Sequence, residues 1–374
     1  MTLGGGSTEV GLLNSARWVP YLLFGIVVGV LVERARRRPL LIVTDLARGL
    51  LLVAVPVLAA TRSLTLTALL IIVALFGLCS LVGDAAFLSL VPRIVPVSLI
   101  TPAHARLDQS DAAAQTSGPA LAGALISWLG APLAVLVDAA SYLASAVLVS
   151  RVHVMEPPAQ TSSLRGIGPE AAEGLRWVYR RGTLRALALN THAWFLCSAV
   201  AGAVVTPFAL RTVGLGPLGL GLALAAAGVG AVLGSSVAVQ LGLRWGAGHV
   251  VIGARALTTL AWGLVALATS HPWGWVPFVL GQLLFGLSLG AENSNEMGYQ
   301  QAVTPDRLQA RMNITKRSVN RGMIVVGAPL GGLLGDRLGF RTMLVAAAVG
   351  FAVVALALAV SPFRSARVDD AGAV

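Results

Sequence analysis

The sequence predicts an all-α, polytopic transmembrane helical bundle, and three observations carry that prediction. Of 374 residues, 56% are hydrophobic and 11% charged, with a mean hydropathy of +0.81, which is more apolar surface than a soluble domain can hide. Continuous apolar stretches of about 20 residues, the length of an α-helix crossing hydrocarbon, recur along the chain. Arginines gather in alternate loops between those stretches. An outer-membrane barrel would instead show segments of about 10 residues that alternate in polarity.

In chain order the spans fall near 11–32, 40–60, 64–88, 105–129, 132–152, 184–210, 219–241, 249–269, 275–300, 311–334 and 340–360, eleven in all. The loops after the first, third, fifth, seventh and ninth spans hold Arg34, Arg36, Arg37, Arg38, Arg93, Arg151, Arg165, Arg176, Arg180, Arg181, Arg244 and Arg307. The positive-inside rule places those loops in the cytoplasm, with Arg364 and Arg367 of the C-terminal tail on the same side. A formal charge of +11 is therefore a matter of orientation, and no nucleic-acid partner is expected. Cys79 and Cys197 lie far apart in apolar segments, so neither a disulfide framework nor a metal site is expected. Residues 1–10 lack the basic start and apolar core of a cleavable leader.

Residues 153–183 are the one long polar stretch. They divide the chain into an N-terminal bundle of five spans (1–152), a cytoplasmic linker and a C-terminal bundle of six spans (184–374). Glu173, Arg176, Trp177 and Arg180 recur at helical spacing, which predicts a basic interfacial helix at the linker's end. The halves repeat. An offset of 210 residues pairs Gly11-Leu12 with Gly221-Leu222, Val19 with Val229, Leu23 with Leu233, Arg34 with Arg244 and Pro119 with Pro329. One residue of slippage then aligns the WLG at 128–130 with the RLG at 337–339. On that offset the span at 184–210 has its partner before residue 1, so a first helix of a twelve-helix plan is expected upstream of Met1.

Gly29 to Pro39, GVLVERARRRP, follows the first span. It resembles the signature loop of the major facilitator superfamily, in which Gly29 allows close helix packing, Glu33 takes the acidic position, and Arg34, Arg37 and Arg38 the basic ones. Ser117 to Leu125, SGPALAGAL, is similar to the glycine-proline motif of the family's antiporters through Gly118, Pro119 and Gly123. Small-residue packing without directional meaning explains the same residues equally well. The stretches at 136–149 and 303–313 resemble the branch containing siderophore (enterobactin-type) exporters and macrolide efflux proteins. The resemblance implies alternating access by two helical bundles about a central site, a small-molecule substrate, proton exchange, and a monomer in the cytoplasmic (inner) membrane. It implies no cofactor.

Ionisable groups inside a span are costly and mark functional candidates. By the family's order, the cavity helices here are 64–88, 184–210 and 275–300, which offer Asp84, Asn190, His192, Trp194, Glu292, Asn293, Asn295 and Glu296. Glu292 and Glu296 sit one turn apart on one face. Lys316 or Arg317 on the next span is expected near Glu292, either as a fixed ion pair or as the partner of a proton-exchanging carboxyl. Asp84 is expected to gate against Arg34 or Arg37, as the resemblance implies, and His192 either packs or lies on the proton path. Asp45, Arg48, Asp138 and Arg255 fall on peripheral helices and read as structural, whereas Asp108, Asp111 and Arg321 read as bundle-interface residues. No nucleophile and base pair or phosphate loop appears, so no enzyme is expected. The reading is a secondary transporter exporting a drug-like or siderophore-like compound. The alternative is a truncated relative that folds in the membrane without transporting.

Overall fold

A computed structural model describes residues 6–95, 100–152, 167–180 and 182–367. Among these residues twelve α-helices follow one another: α1 (Ser7–Arg34), α2 (Arg37–Ala60), α3 (Leu66–Ile94), α4 (Ile100–Leu129), α5 (Ala131–Arg151), α6 (Ile167–Arg180), α7 (Gly182–Pro207), α8 (Pro217–Trp245), α9 (Ala247–Leu267), α10 (Val276–Ala302), α11 (Asp306–Leu338) and α12 (Phe340–Ala359). Eleven of them match the spans expected from the sequence, and α6, 14 residues long, is the helix expected in the linker. Among the described residues, seven segments are long and apolar enough to cross a membrane: α2, α3 to Phe87, α5, α7 extended to Val213, α8, α9 and α12. The inner part of α10 and the first half of α11 are more polar, and α10 carries the candidate site.

The internal repeat is realised in the packing. In the N-terminal half α1 packs on α3, and α2 on α3 and α5; in the C-terminal half α8 packs on α10, and α9 on α10 and α12. The halves meet along two seams, α1 with α11 and α4 with α8, which exchange under the repeat. At the aligned WLG and RLG, Gly130 (φ +80) and Gly339 (φ +91) adopt the left-handed region that side chains disfavour, and each starts the next helix in a tight reversal.

Both seams are close at the ends that the arginine asymmetry assigns to the outside. A Cβ on Gly332 would lie 2.2 Å from Ser7 O, and one on Gly123 would lie 2.6 Å from Pro217 O. The Asp336 carboxylate caps α1 across the seam: Ser7 N donates to Oδ1 at 2.8 Å, while Thr8 N at 2.8 Å and Thr8 Oγ1 at 2.6 Å donate to Oδ2. Deeper in, Ser15 Oγ donates to Val325 O at 2.9 Å. Exposed apolar side chains such as Leu50, Trp128, Leu148, Leu260 and Leu356 form the outer surface that lipid must cover.

Candidate functional site

The inner part of α10 reads AENSNEM (291–297), and it interrupts an otherwise apolar helix. Glu292 and Glu296, one turn apart, meet three neighbouring helices, α9, α7 and α11. Arg255 on α9 is fully buried and stands at the centre. Its Nε donates to Glu292 Oε1 at 2.9 Å, and its Nη2 reaches Glu296 Oε2 at 3.1 Å and Thr191 Oγ1 of α7 at 2.8 Å. Lys316 Nζ of α11 donates to Glu296 Oε1 at 2.9 Å, and Gln300 Nε2 donates to the same oxygen at 2.7 Å. Two cations thus face two carboxylates with almost no solvent, the arrangement in which a buried charge persists only if it is paired.

The two carboxylates are not equivalent. Glu296 draws on Arg255, Lys316, Gln300 and, at 3.2 Å, Thr191. Glu292 has Arg255 alone; its Oε2 is buried without a partner, as is Arg255 Nη1. Among the described residues, no group of three or more His, Cys, Asp and Glu is placed to hold a metal ion.

The other expected cavity residues divide. His192 is buried between α6 and α11, with Nε2 2.7 Å from Tyr179 Oη and Nδ1 2.6 Å from Asn320 Oδ1, so it bridges linker helix and bundle. Trp194 lies in an aromatic cluster, stacked on Phe285 with centroids 6.3 Å apart and edge-on to Phe195 at 5.2 Å. Asn190 Nδ2 donates to Val354 O of α12 at 2.7 Å. Asn295 Nδ2 donates to Ala238 O of α8 at 2.9 Å, which fastens α10 to α8, whereas Asn293 is exposed. A cavity of about 200 Å³ opens beside Asn295 at the inner ends of α8 and α10, with Gly242, Ser294, Gly298 and Arg367 on its wall.

In the signature loop, Gly29 lies within α1, Arg37 is buried in the first turn of α2, and Arg38 Nε donates to Val149 O at 3.3 Å at the end of α5. The side chains of Glu33, Arg34, Asp108 and Asp111 lie outside the described residues. Asp84 accepts from Tyr21 Oη of α1 at 2.7 Å, a partner the sequence did not single out. Of the glycine-proline motif, Pro119 and Gly123 contact α8: a Cβ on Gly221 would come 2.5 Å from Pro119 O. Gly118 has open space beside it.

Two residues of these contacts escaped the sequence reading, Arg255 and Asp336. Arg255 falls on a helix expected to be peripheral and structural, and the structure turns it onto α10. The available signal was an arginine in an apolar run, one repeat from Asp45. Lys316 joins Glu296 and not Glu292, because Arg255 already occupies the outer carboxylate. Asp336 carried no signal, since its role depends on a helix end more than 300 residues away.

Residues 2–373 match the model of a family described as transmembrane secretion effector. An uncharacterized MFS-type transporter, y4rN, of Sinorhizobium fredii (strain NBRC 101917 / NGR234) is 28% identical over 263 residues, which are 70% of this chain and 63% of that protein. The chain thus matches less than two thirds of that relative's length. The nucleoside transporter NupG superposes with a TM-score of 0.73 at 12% identity, covering 96% of this chain and 91% of that one. A bacterial homologue of the lysosomal transporter Spinster, inward-facing and unoccupied, gives 0.73 at 15% identity with 96% and 89% covered. A bacterial homologue of the iron transporter ferroportin, inward-facing, gives 0.67 at 16% identity with 96% and 97% covered.

Proposed function

The chain belongs to the transmembrane secretion effector family of the major facilitator superfamily, and from that premise we propose that it is a proton-coupled exporter of a small amphipathic compound, acting as a monomer in the cytoplasmic membrane. It is a multi-pass membrane protein whose relatives are transporters and not enzymes. The bundles at 1–152 and 184–374 rock about a central site in this reading, with the outer ends of both seams closed in the state described.

The observation that carries the coupling is the inequality of the two acids. A proton arriving at Glu292 Oε2 meets an oxygen with no bond to lose and weakens only the contact to Arg255. A proton on Glu296 would disrupt Lys316, Arg255 and Gln300 together. Glu292 is therefore the exchanging carboxyl and Glu296 the fixed counter-ion. Arg255, released from Glu292, keeps Thr191 and Glu296, so protonation shifts how α9, α7 and α10 are joined without leaving a bare cation. That shift is the difference between two states that alternating access requires.

The test uses the full chain in proteoliposomes with an imposed pH gradient and a panel of labelled drugs and siderophores. Wild type accumulates at least one compound against its gradient. Glu292→Gln loses gradient-driven movement of that compound while retaining exchange of substrate for substrate. Undiminished gradient-driven transport by Glu292→Gln overturns the assignment.

A further inference from the structure

The α1/α11 seam carries positive charge at mid-membrane depth that the coupling network does not use. Arg17, Trp18 and Tyr21 fall near the middle of α1, and Arg317 and Arg321, one turn apart, near the middle of α11. The Arg321 guanidinium carbon stands 3.7 Å from the centroid of the Trp18 ring across the seam, and Arg17 stands 5.4 Å from the same ring. Tyr21, Arg317, Arg17 and Asp84 all lie within electrostatic reach of Arg321. Asp84 is held by Tyr21 Oη at 2.7 Å, and Asp138 on α5 is within reach of Arg17. None of the three arginines forms an ion pair with a carboxylate among the described residues.

Three guanidinium groups at the depth of the hydrocarbon, two of them exposed and one stacked on an indole, are costly unless something answers them. Each presents a planar fork of donors that matches a carboxylate, and Trp18 and Tyr21 add flat apolar faces beside that fork. We propose that Arg17, Arg317, Arg321, Trp18 and Tyr21 form the central substrate site, and that the substrate class is an aromatic carboxylate: the anion on the guanidinium groups, the ring against Trp18 and Tyr21. The inference rests on the transporter reading and names its cargo. Placement supports it, because the site lies where the two bundles meet, at the midplane position where such transporters hold their substrates. Seating a ligand there replaces the Arg321–Trp18 contact that joins the halves, so occupancy bears directly on the seam.

The experiment measures equilibrium binding of 1-naphthoate, and of the cation 1-naphthylmethylammonium, to the purified full chain without any gradient. Naphthoate binds and raises the thermal unfolding temperature, and the cation does neither. Arg321→Gln and Arg317→Gln each weaken naphthoate binding tenfold or more, while Arg321→Lys, which keeps the charge, retains part of it. Each variant's own unfolding temperature reports whether it has folded, and Arg317→Gln, at an exposed position, serves if Arg321→Gln has not. Preference for the cation, or naphthoate affinity unchanged in a folded Arg317→Gln or Arg321→Gln protein, overturns the proposal. Binding that depends on the arginines without gradient-driven transport would sink the exporter reading and leave this site standing. Proton-driven transport of cationic compounds alone would do the reverse.

Discussion

Asp45 and Arg255 occupy equivalent places in the two halves, 210 residues apart, and they do different things. Asp45 pairs locally with Arg48, three residues on, and accepts from Ser145 Oγ of α5 at 2.7 Å. Arg48 in turn lies over Tyr142 with 4.7 Å to the ring centroid, so the whole arrangement ties α2 to α5. Arg255 reaches across to α10 and α7, where Glu292 and Glu296 stand; the same offset places Val82 and Ala86 at those positions in the N-terminal half. Val82 and Ala86 belong to an apolar core. The repeat thus sets how helices pack, while the buried network of two carboxylates and two cations stands in the C-terminal half. A charge that closes on its own helix is a brace. One that joins three helices is a connection that can be remade.

The comparison breaks first at Arg255. Arg255→Leu leaves Glu292 without a cation and Glu296 with one fewer, and should destabilise the protein by about 3–5 kcal/mol, the cost of stranding a buried charge, read as a lower unfolding temperature in detergent. A stability equal to wild type would mean that the network is solvated in the membrane. Glu292→Gln should leave folding nearly intact while abolishing the response of transport to pH. Asp45→Asn, in the other half, should cost about 1.5–3 kcal/mol, the range for a hydrogen bond to a charged group, and leave the pH profile of transport unmoved. A shifted profile would deny that the two halves differ in kind.

The smallest effect belongs to the outer clasp. Asp336 lies beyond the last apolar turn of its span, where partial burial raises its carboxyl but the hydrogen bonds from Thr8 and Ser7 more than offset this and hold it at about 2. A depressed carboxyl contributes stability above its unfolded value that is lost only as pH falls through the folded one, so the clasp should stay closed at neutral and mildly acidic pH. Asp336→Asn should cost about 0.5–2 kcal/mol, as for a lost helix cap, and leave any pH dependence of transport between 5 and 8 in place. Disappearance of that dependence would move the proton from Glu292 to the clasp.

Much of this was legible in the chain because it is local. Apolar length gave the helices, and a constant offset gave the correspondence between the halves that their packing repeats. Glu292 and Glu296 were legible because two acids one turn apart in an apolar run have no inexpensive structural explanation. Arg255 was not, since helix order alone put α9 at the periphery, and whether a peripheral helix turns its charge inward depends on packing against α10. Asp84 is expected beside the signature-loop arginines by resemblance, whereas the hydroxyl it accepts from belongs to Tyr21, on a different turn of α1. Trp18 and Arg321 meet across more than 300 residues, a distance over which no periodicity speaks.

The central claim is that Glu292 alone carries the exchangeable proton. Infrared difference spectroscopy of the reconstituted full chain during a pH titration tests it without a substrate. The account predicts a protonated-carboxyl stretching band that appears on acidification in wild type, persists in Glu296→Gln and vanishes in Glu292→Gln. A band that survives Glu292→Gln unchanged, or that is absent from wild type, contradicts it.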